Sequence, residues 1–376
     1  MFLVFHGFEA NSGITKKIHN QVRALQQLGH KVHLCYYGFD ENLHRVRWVD
    51  STAIADYGNG PLAPLRARIG LHTIADWAVM NGIEIVYARS FHNASPLTIR
   101  LFRTLRRSGI KVALEIPTYP YDQEYVGFPL GTRLKLLIDR CFRRTLAKEV
   151  SAIVTFADVP TIFGQRTICI SNGVDFEALP LIAPRPNSDS SRPIVLTAVA
   201  EVHYWHGLDR LLTGLGEYFS GNSKRDIRFN IVGGVGPSEM HDSKHAPGFA
   251  EIIEHYGIAD KVVFHGQLFG DALTEVFNHT DLCIGSLARH RSGVQSIKTL
   301  KNREYAARGL AFVYSESDSD FDNKPYVLRV PADETPICIQ DLLNFLDRLT
   351  IKPEEIRQSI SNLSWREQMR RVVDEL

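Results

Sequence analysis

The chain has 376 residues, 44% of them hydrophobic and 23% charged, with a formal net charge of +1. This excludes disordered and fibrous architectures and leaves enough length for two domains with substantial cores. No apolar run approaches the roughly 18 residues of a membrane span, and Met1-Phe2-Leu3-Val4-Phe5-His6 lacks the basic start and long apolar centre of a signal peptide, so the expected location is the cytoplasm. Cys35, Cys141, Cys169, Cys283 and Cys338 form no CxxC pair, which argues against a disulfide framework or a structural zinc site. The first 180 residues carry 21 Lys and Arg against 15 Asp and Glu, the remainder 22 against 27. A basic half suits anionic lipid or an anionic acceptor; nucleic acid is not expected, because no RNA-binding aromatic motif or zinc-finger spacing accompanies the charge.

Short apolar runs alternate with amphipathic stretches from the first residue, the pattern of parallel strands joined by crossover helices. Phe2 to Phe5 reads as a strand. After a loop through Asn11, Ser12 and Gly13, apolar Ile14, Ile18, Val22, Leu25 and Leu28 recur at helical spacing, and Gly29 stops the helix. Strands follow at 31–37, 84–88, 111–116, 152–155 and 168–171, with helices near 95–108 and 131–148. Residues 181–193, rich in Pro and Ser, read as a linker between a domain of residues 1–180 and one of residues 194–360. The second alternation gives strands at 194–199, 228–232, 262–265, 282–284 and 311–314, and helices at 208–219 and 298–308. The closing amphipathic segment, 361–376, is expected to pack back on the first domain. The expected fold class is α/β, with two doubly wound Rossmann-like domains.

The segment Leu300-Lys301-Asn302-Arg303-Glu304-Tyr305-Ala306-Ala307-Arg308-Gly309 follows a polar, cationic loop and feeds an apolar strand. It therefore places a helix start and basic side chains at the carboxyl edge of the second sheet, ready for an anion. This run resembles the donor-binding element of retaining, nucleotide-sugar-dependent glycosyltransferases of family 4, in the bacterial capsule and surface-polysaccharide branch. Asn172-Gly173-Val174-Asp175, Trp205-His206-Gly207-Leu208-Asp209, Val232-Gly233-Gly234 and Phe264-His265-Gly266 resemble further family segments in the same order. The resemblance implies a GT-B fold, two Rossmann-like domains facing across a cleft, and a metal-independent transfer of a hexose from a nucleotide diphosphate sugar to a saccharide or polyprenyl-linked acceptor. No bound cofactor is implied. Glu304 matches the family's acidic residue for the donor ribose, a task that suits a carboxylate because it accepts two hydrogen bonds from a vicinal diol.

The chain also departs from that pattern. Ser296 stands where the family has its first acidic residue, eight positions before Glu304, and Glu201 and His206 stand where it has the Arg and Lys of its diphosphate clamp. Another group must then neutralise the leaving diphosphate. Lys301 is the first candidate, ahead of Lys298 and Arg303, and helix periodicity keeps the three from meeting one ligand. Ser296, His206 and Gly266 complete the expected donor side. On the acceptor side, Ser12 and Gly13 open a helix, and Glu115, Tyr119 and Asp122 follow a strand with polar groups for sugar hydroxyls. His6 and His92 are candidates for a histidine facing the donor sugar. His241 and His245 lack a helical frame for a metal, so none is expected.

Between Gly131 and Val150, Leu134, Leu137, Ile138, Cys141, Phe142 and Leu146 interleave with Arg133, Lys135, Arg140, Arg143, Arg144 and Lys148. Two readings stay open: a core-facing helix with a solvated basic face, which the pattern favours, and a helix lying on an anionic membrane surface. Two rivals to the transferase also stay open, a nucleotide-sugar epimerase on the same fold and a non-catalytic nucleotide-sugar-binding protein.

Overall fold

The computed structural model describes residues 1–8, 13–89, 94–122, 130–183, 192–221, 225–242 and 246–376. It forms two compact units, one of Met1–Ser171 with Trp365–Leu376, the other of Asn172–Ser364. The division thus falls at Ser171/Asn172 and Ser364/Trp365, not after residues 180 and 360. Packing explains the shift: Val174, Leu179 and Ile182 are buried in the second unit's core, and the Ile182 amide donates to the Arg308 carbonyl at 2.9 Å. The start of the expected linker is therefore packed chain; its residues 184–191 lie outside the described residues.

In the first unit the described strands are β1 (Phe2–Leu3), β2 (Leu34–Phe39), β3 (Arg45–Val49), β4 (Thr52–Asp56), β5 (Ile85–Arg89), β6 (Lys111–Ile116), β7 (Ala152–Thr155), β8 (Thr161–Ile162) and β9 (Gln165–Cys169). They lie in the order β4-β3-β2-β1-β5-β6-β7-β9-β8. The run from β2 to β9 is parallel; β3 and the edge strand β4 extend it antiparallel at one side, and β8 is the antiparallel edge at the other. Helix α1 (Gly13–Gln27) buries Ile18 and Val22, and with them Lys17 and Gln21; Gly29, at φ +91°, ends it in a backbone state that only glycine adopts cheaply. Helix α2 (Leu130–Ala147) follows β6.

The second unit carries β10 (Ile194–Val199), β11 (Ile227–Val232), β12 (Val262–Gly266), β13 (Leu282–Ile284), β14 (Phe312–Tyr314) and β15 (Val327–Arg329), all parallel, in the order β12-β11-β10-β13-β14-β15. That is the 3-2-1-4-5-6 order of the dinucleotide-binding fold, which reverses at its first strand. The loops after β10 and β13 therefore flank the switch point, where open α/β sheets take their ligands. Helix α3 (Leu208–Ser220) follows β10 and α4 (Leu300–Ala307) precedes β14. The last helix, α5 (Trp365–Asp374), belongs to the first unit, where Trp365, Met369 and Val372 are buried and the Gln368 side-chain oxygen accepts from the Ser171 amide at 2.7 Å.

Candidate functional site

Four chemically distinctive side chains gather at the carboxyl edge of the second sheet. After β10 the chain turns through Tyr204–His206 to Gly207, whose φ is +65°. A Cβ at Gly207 would lie 2.7 Å from the Ala288 Cβ, so glycine is what lets this turn seat on the loop after β13. The Leu287 amide donates to the His206 carbonyl at 2.8 Å and fixes the two loops together. Arg291 braces the same junction with two bonds to Asp209, at 2.9 and 2.7 Å, and three to Glu334, at 3.1, 3.1 and 2.5 Å.

This junction holds His206 and brings Arg289 and Lys301 close enough to act on it. Burial, with Lys301 and Arg289 adding to it, pushes the His206 pKa well below the ordinary range. Its Nδ1 accepts from the His203 amide at 3.0 Å, so the neutral ring carries its proton on Nε2 and offers a donor without a charge. His206 is thus a neutral donor, and the charge for a diphosphate must come from other side chains. Arg289 lies beside Trp205, its guanidinium 5.7 Å from a ring centroid. Lys301, near the start of α4, has its pKa lowered by burial and by Arg289, against the opposing pull of Glu316.

Glu316 follows β14 and is 2% exposed. Neither carboxylate oxygen has a hydrogen-bond partner on another residue among the described residues. Burial raises its pKa, while its own backbone amide and then Arg289 and Lys301 hold it down. Ser296 and Ser317 form a parallel bridge, with the Ile297 amide donating to the Ser317 carbonyl at 3.0 Å. Glu316 is thus the chain neighbour of the residue that pairs with Ser296. Ser296 itself is exposed.

The remaining donor-side candidates divide by geometry. Glu304 lies one turn beyond Lys301 on α4 and is half-buried. Arg303 is wholly buried and committed to Asp318, at 2.6 and 2.9 Å, to Asp320 and to the Thr299 carbonyl. That commitment corrects its expected role: Arg303 braces the loop after β14. Lys298 is buried, and its carbonyl accepts from the Asn172 side-chain amide at 2.5 Å. Gly266 ends β12 at φ +65°, its carbonyl accepting from Gly233 at 2.7 Å, with open space where a side chain would stand.

On the acceptor side, Glu115 is not available to a sugar. It is fully buried, accepts from the Tyr87 hydroxyl at 2.5 Å and the Gln21 amide at 2.8 Å, and pairs with Arg89 at 3.2 Å and Lys17 at 3.5 Å. Asp122 is held by Arg143 at 2.7 Å and Arg140 at 3.0 Å. Tyr119 is half-buried against Phe163, ring centroids 5.8 Å apart. Gly13 opens α1, where an added Cβ would meet nothing within 4 Å among the described residues, and His6 Nδ1 lies 2.7 Å from the Gly7 carbonyl. Ser12, His92 and His245 lie outside the described residues. His241 meets Glu251 at 3.1 Å.

Sequence reading missed Arg289 and Glu316. The signal for Arg289 was a polar, cationic run, Arg289-His290-Arg291, in the loop that follows the apolar strand 282–284. Glu316 opens the run Glu316-Ser317-Asp318-Ser319-Asp320, whose composition reads as solvated loop, and only the fold buries it.

No family model matches the sequence, and no curated protein matches it. Solved structures do match in shape. Sucrose-phosphate synthase from Thermosynechococcus elongatus superposes with a TM-score of 0.62 at 14% identity, over 99% of this chain and 97% of that one. Anabaena HepE in complex with UDP-glucose gives 0.56 at 13% identity over 100% of both chains. The catalytic domain of starch synthase IV from Arabidopsis thaliana, bound to ADP and acarbose, gives 0.61 at 10% identity over 100% and 98%. The chain has the GT-B fold. Identities this low establish the fold, and the chemistry of the GT-B chain described here rests on its own residues.

Proposed function

We propose that the protein is a retaining glycosyltransferase that moves a sugar from a nucleotide diphosphate donor to a saccharide or polyprenyl-linked acceptor of surface-polysaccharide synthesis. The observation that carries this reading is the gathering of His206, Arg289, Lys301 and Glu316 at the switch point of the second sheet. Lys301 and Arg289 are the cations for the diphosphate, whose charge grows as the glycosidic bond breaks, and the His206 Nε2–H adds a neutral donor. Glu316, whose two oxygens meet no other residue's hydrogen-bond donor among the described residues, accepts from adjacent hydroxyls of the glycosyl group. Glu304 takes the ribose diol. The family resemblance supports front-face displacement, in which the leaving phosphate itself receives the acceptor's proton. The protein then contributes positioning and electrostatic stabilisation, without a nucleophile of its own.

A calorimetric panel of UDP, GDP, dTDP, CMP and their common sugar conjugates tests the assignment, with Glu304→Ala and Glu316→Gln beside the unaltered protein. One nucleotide sugar is expected to bind selectively. Glu304→Ala weakens both nucleotide and nucleotide sugar by about tenfold or more, and Glu316→Gln weakens only the conjugate. Failure of every nucleotide to bind at millimolar concentration would overturn the reading. Turnover of the donor without any acceptor would replace the transferase with an epimerase.

A further inference from the structure

Helix α2 turns an apolar stripe outward. Leu134 is 57% exposed, Leu137 56% and Ile138 40%, and Cys141 is exposed with them. Their spacing puts all four on one helical face, while Leu136, Asp139, Leu146 and Ala147 are buried on the other. The core-facing reading that the sequence pattern favoured is therefore corrected for this stripe. Around it stand Arg133, Lys135, Arg144 and Lys148, all exposed and without an ion pair among the described residues; Arg140, also exposed, pairs with Asp122. Asp139 is the helix's one acidic residue, and it is turned inward, accepting from the Tyr121 hydroxyl at 2.6 Å. The outer face thus combines contiguous apolar side chains with several cations and no anion of its own.

We infer that this face of α2 docks on an anionic lipid surface, helix axis parallel to the bilayer, with Leu134, Leu137, Ile138 and Cys141 in the acyl boundary and the basic side chains at the headgroup phosphates. Charge complementarity selects the occupant. A second copy of the chain pairing through the same face about a two-fold axis would set Arg133, Lys135, Arg144 and Lys148 against their own duplicates. A bilayer carrying negative phosphates meets both the apolar stripe and the cationic rim. No helix among the described residues is long and apolar enough to cross a membrane. A surface of this kind would bring the first unit to acceptors embedded in the membrane. The inference rests on the exposed helix and is independent of the donor-site reading, so either can fail alone.

Co-sedimentation with vesicles tests it. The full chain is expected to bind phosphatidylglycerol–phosphatidylcholine vesicles and not pure phosphatidylcholine vesicles, and to be released by high salt. The triple variant Arg133→Gln/Lys135→Gln/Arg144→Gln should lose about a hundredfold in partitioning, given the contribution of each cation near an anionic surface. Leu134→Ser/Leu137→Ser should lose about tenfold or more while the circular dichroism melt stays in place, since both side chains are already exposed. Absence of binding by the unaltered chain, or equal binding by both variants, would overturn the inference. So would a concentration-dependent dimer in light scattering that Leu137→Glu dissociates, which would assign the face to self-association.

Discussion

Burial makes the charge of Lys301 conditional: desolvation and Arg289 both push its pKa down, and Glu316 only partly restores it. A bound diphosphate favours the protonated ammonium, so binding takes up a proton wherever the free side chain is already neutral. Affinity is then full below the free side chain's pKa and falls as pH rises through it. Calorimetric titration of a nucleoside diphosphate between about pH 6 and about pH 9 should show this loss on the alkaline side. Lys301→Arg, whose guanidinium stays charged throughout, should flatten the profile, and Lys301→Met should bind about tenfold or more weakly at the acidic end, with the gap to the unaltered protein closing as pH rises. A wild-type affinity as constant as that of Lys301→Arg would remove Lys301 from the phosphates.

Three elements of the first unit are tied together through Glu115 on β6, with Lys17 and Gln21 on α1 and Tyr87 and Arg89 on β5. Burial would raise the Glu115 pKa, but Lys17, Arg89, Tyr87 and Gln21 outweigh it and bring it to about 2. Burial lowers Lys17 to about 8, with Arg89 adding and Glu115 opposing. Each shift corresponds to roughly 3 kcal/mol and the two have opposite effects on stability, so the intact cluster fixes geometry more than it stabilises. Breaking it is another matter. Glu115→Gln leaves two cations buried, and an urea melt should show a loss of about 3–5 kcal/mol. Because Glu115 titrates lower in the folded chain than in the unfolded one, its contribution is present above the ordinary carboxylate range and fades as pH falls toward about 2. A melt unchanged by the substitution would refute this account. Elements of this unit also show what a sequence discloses. β6 and β7 have the ends their apolar runs predict, because strands covered on both faces read as continuous hydrophobic stretches. The β3–β4 hairpin was missed since β3 carries Arg47, fully buried yet ionic, bonded to the Val4 carbonyl at 2.9 Å and lying over the Tyr37 ring. In the candidate site, Lys301 and Glu304 were legible in one contiguous motif. Arg289 and Glu316 were not, because different loops bring them there, and neither loop's composition distinguishes a buried group from a solvated one.

At the scale of the whole molecule, the chain completes its first unit only after building its second. Trp365–Leu376 returns to Met1–Ser171, and α5 lies against α1 with Trp365, Met369 and Val372 buried. The Lys17 ammonium, 3.6 Å from the Phe156 ring centroid, is 5.7 Å from that of Trp365, so α5 also walls one side of the buried cluster around Glu115. Removing α5 would expose three large side chains' worth of apolar surface and admit water to a lysine whose pKa depends on its exclusion. A Met1–Ser171 fragment is therefore expected to melt well below the same fragment carrying Trp365–Leu376 on a short Gly/Ser linker, the difference being several kcal/mol in urea. Adding the 365–376 peptide in trans should recover part of that stability in a concentration-dependent way. Equal melts for the two fragments would mean that α1 and the first sheet are self-sufficient and that α5 is held there only by its connection. The linked fragment also isolates helix α2 from the donor-binding half, so its binding to anionic vesicles separates the lipid surface from any effect of nucleotide.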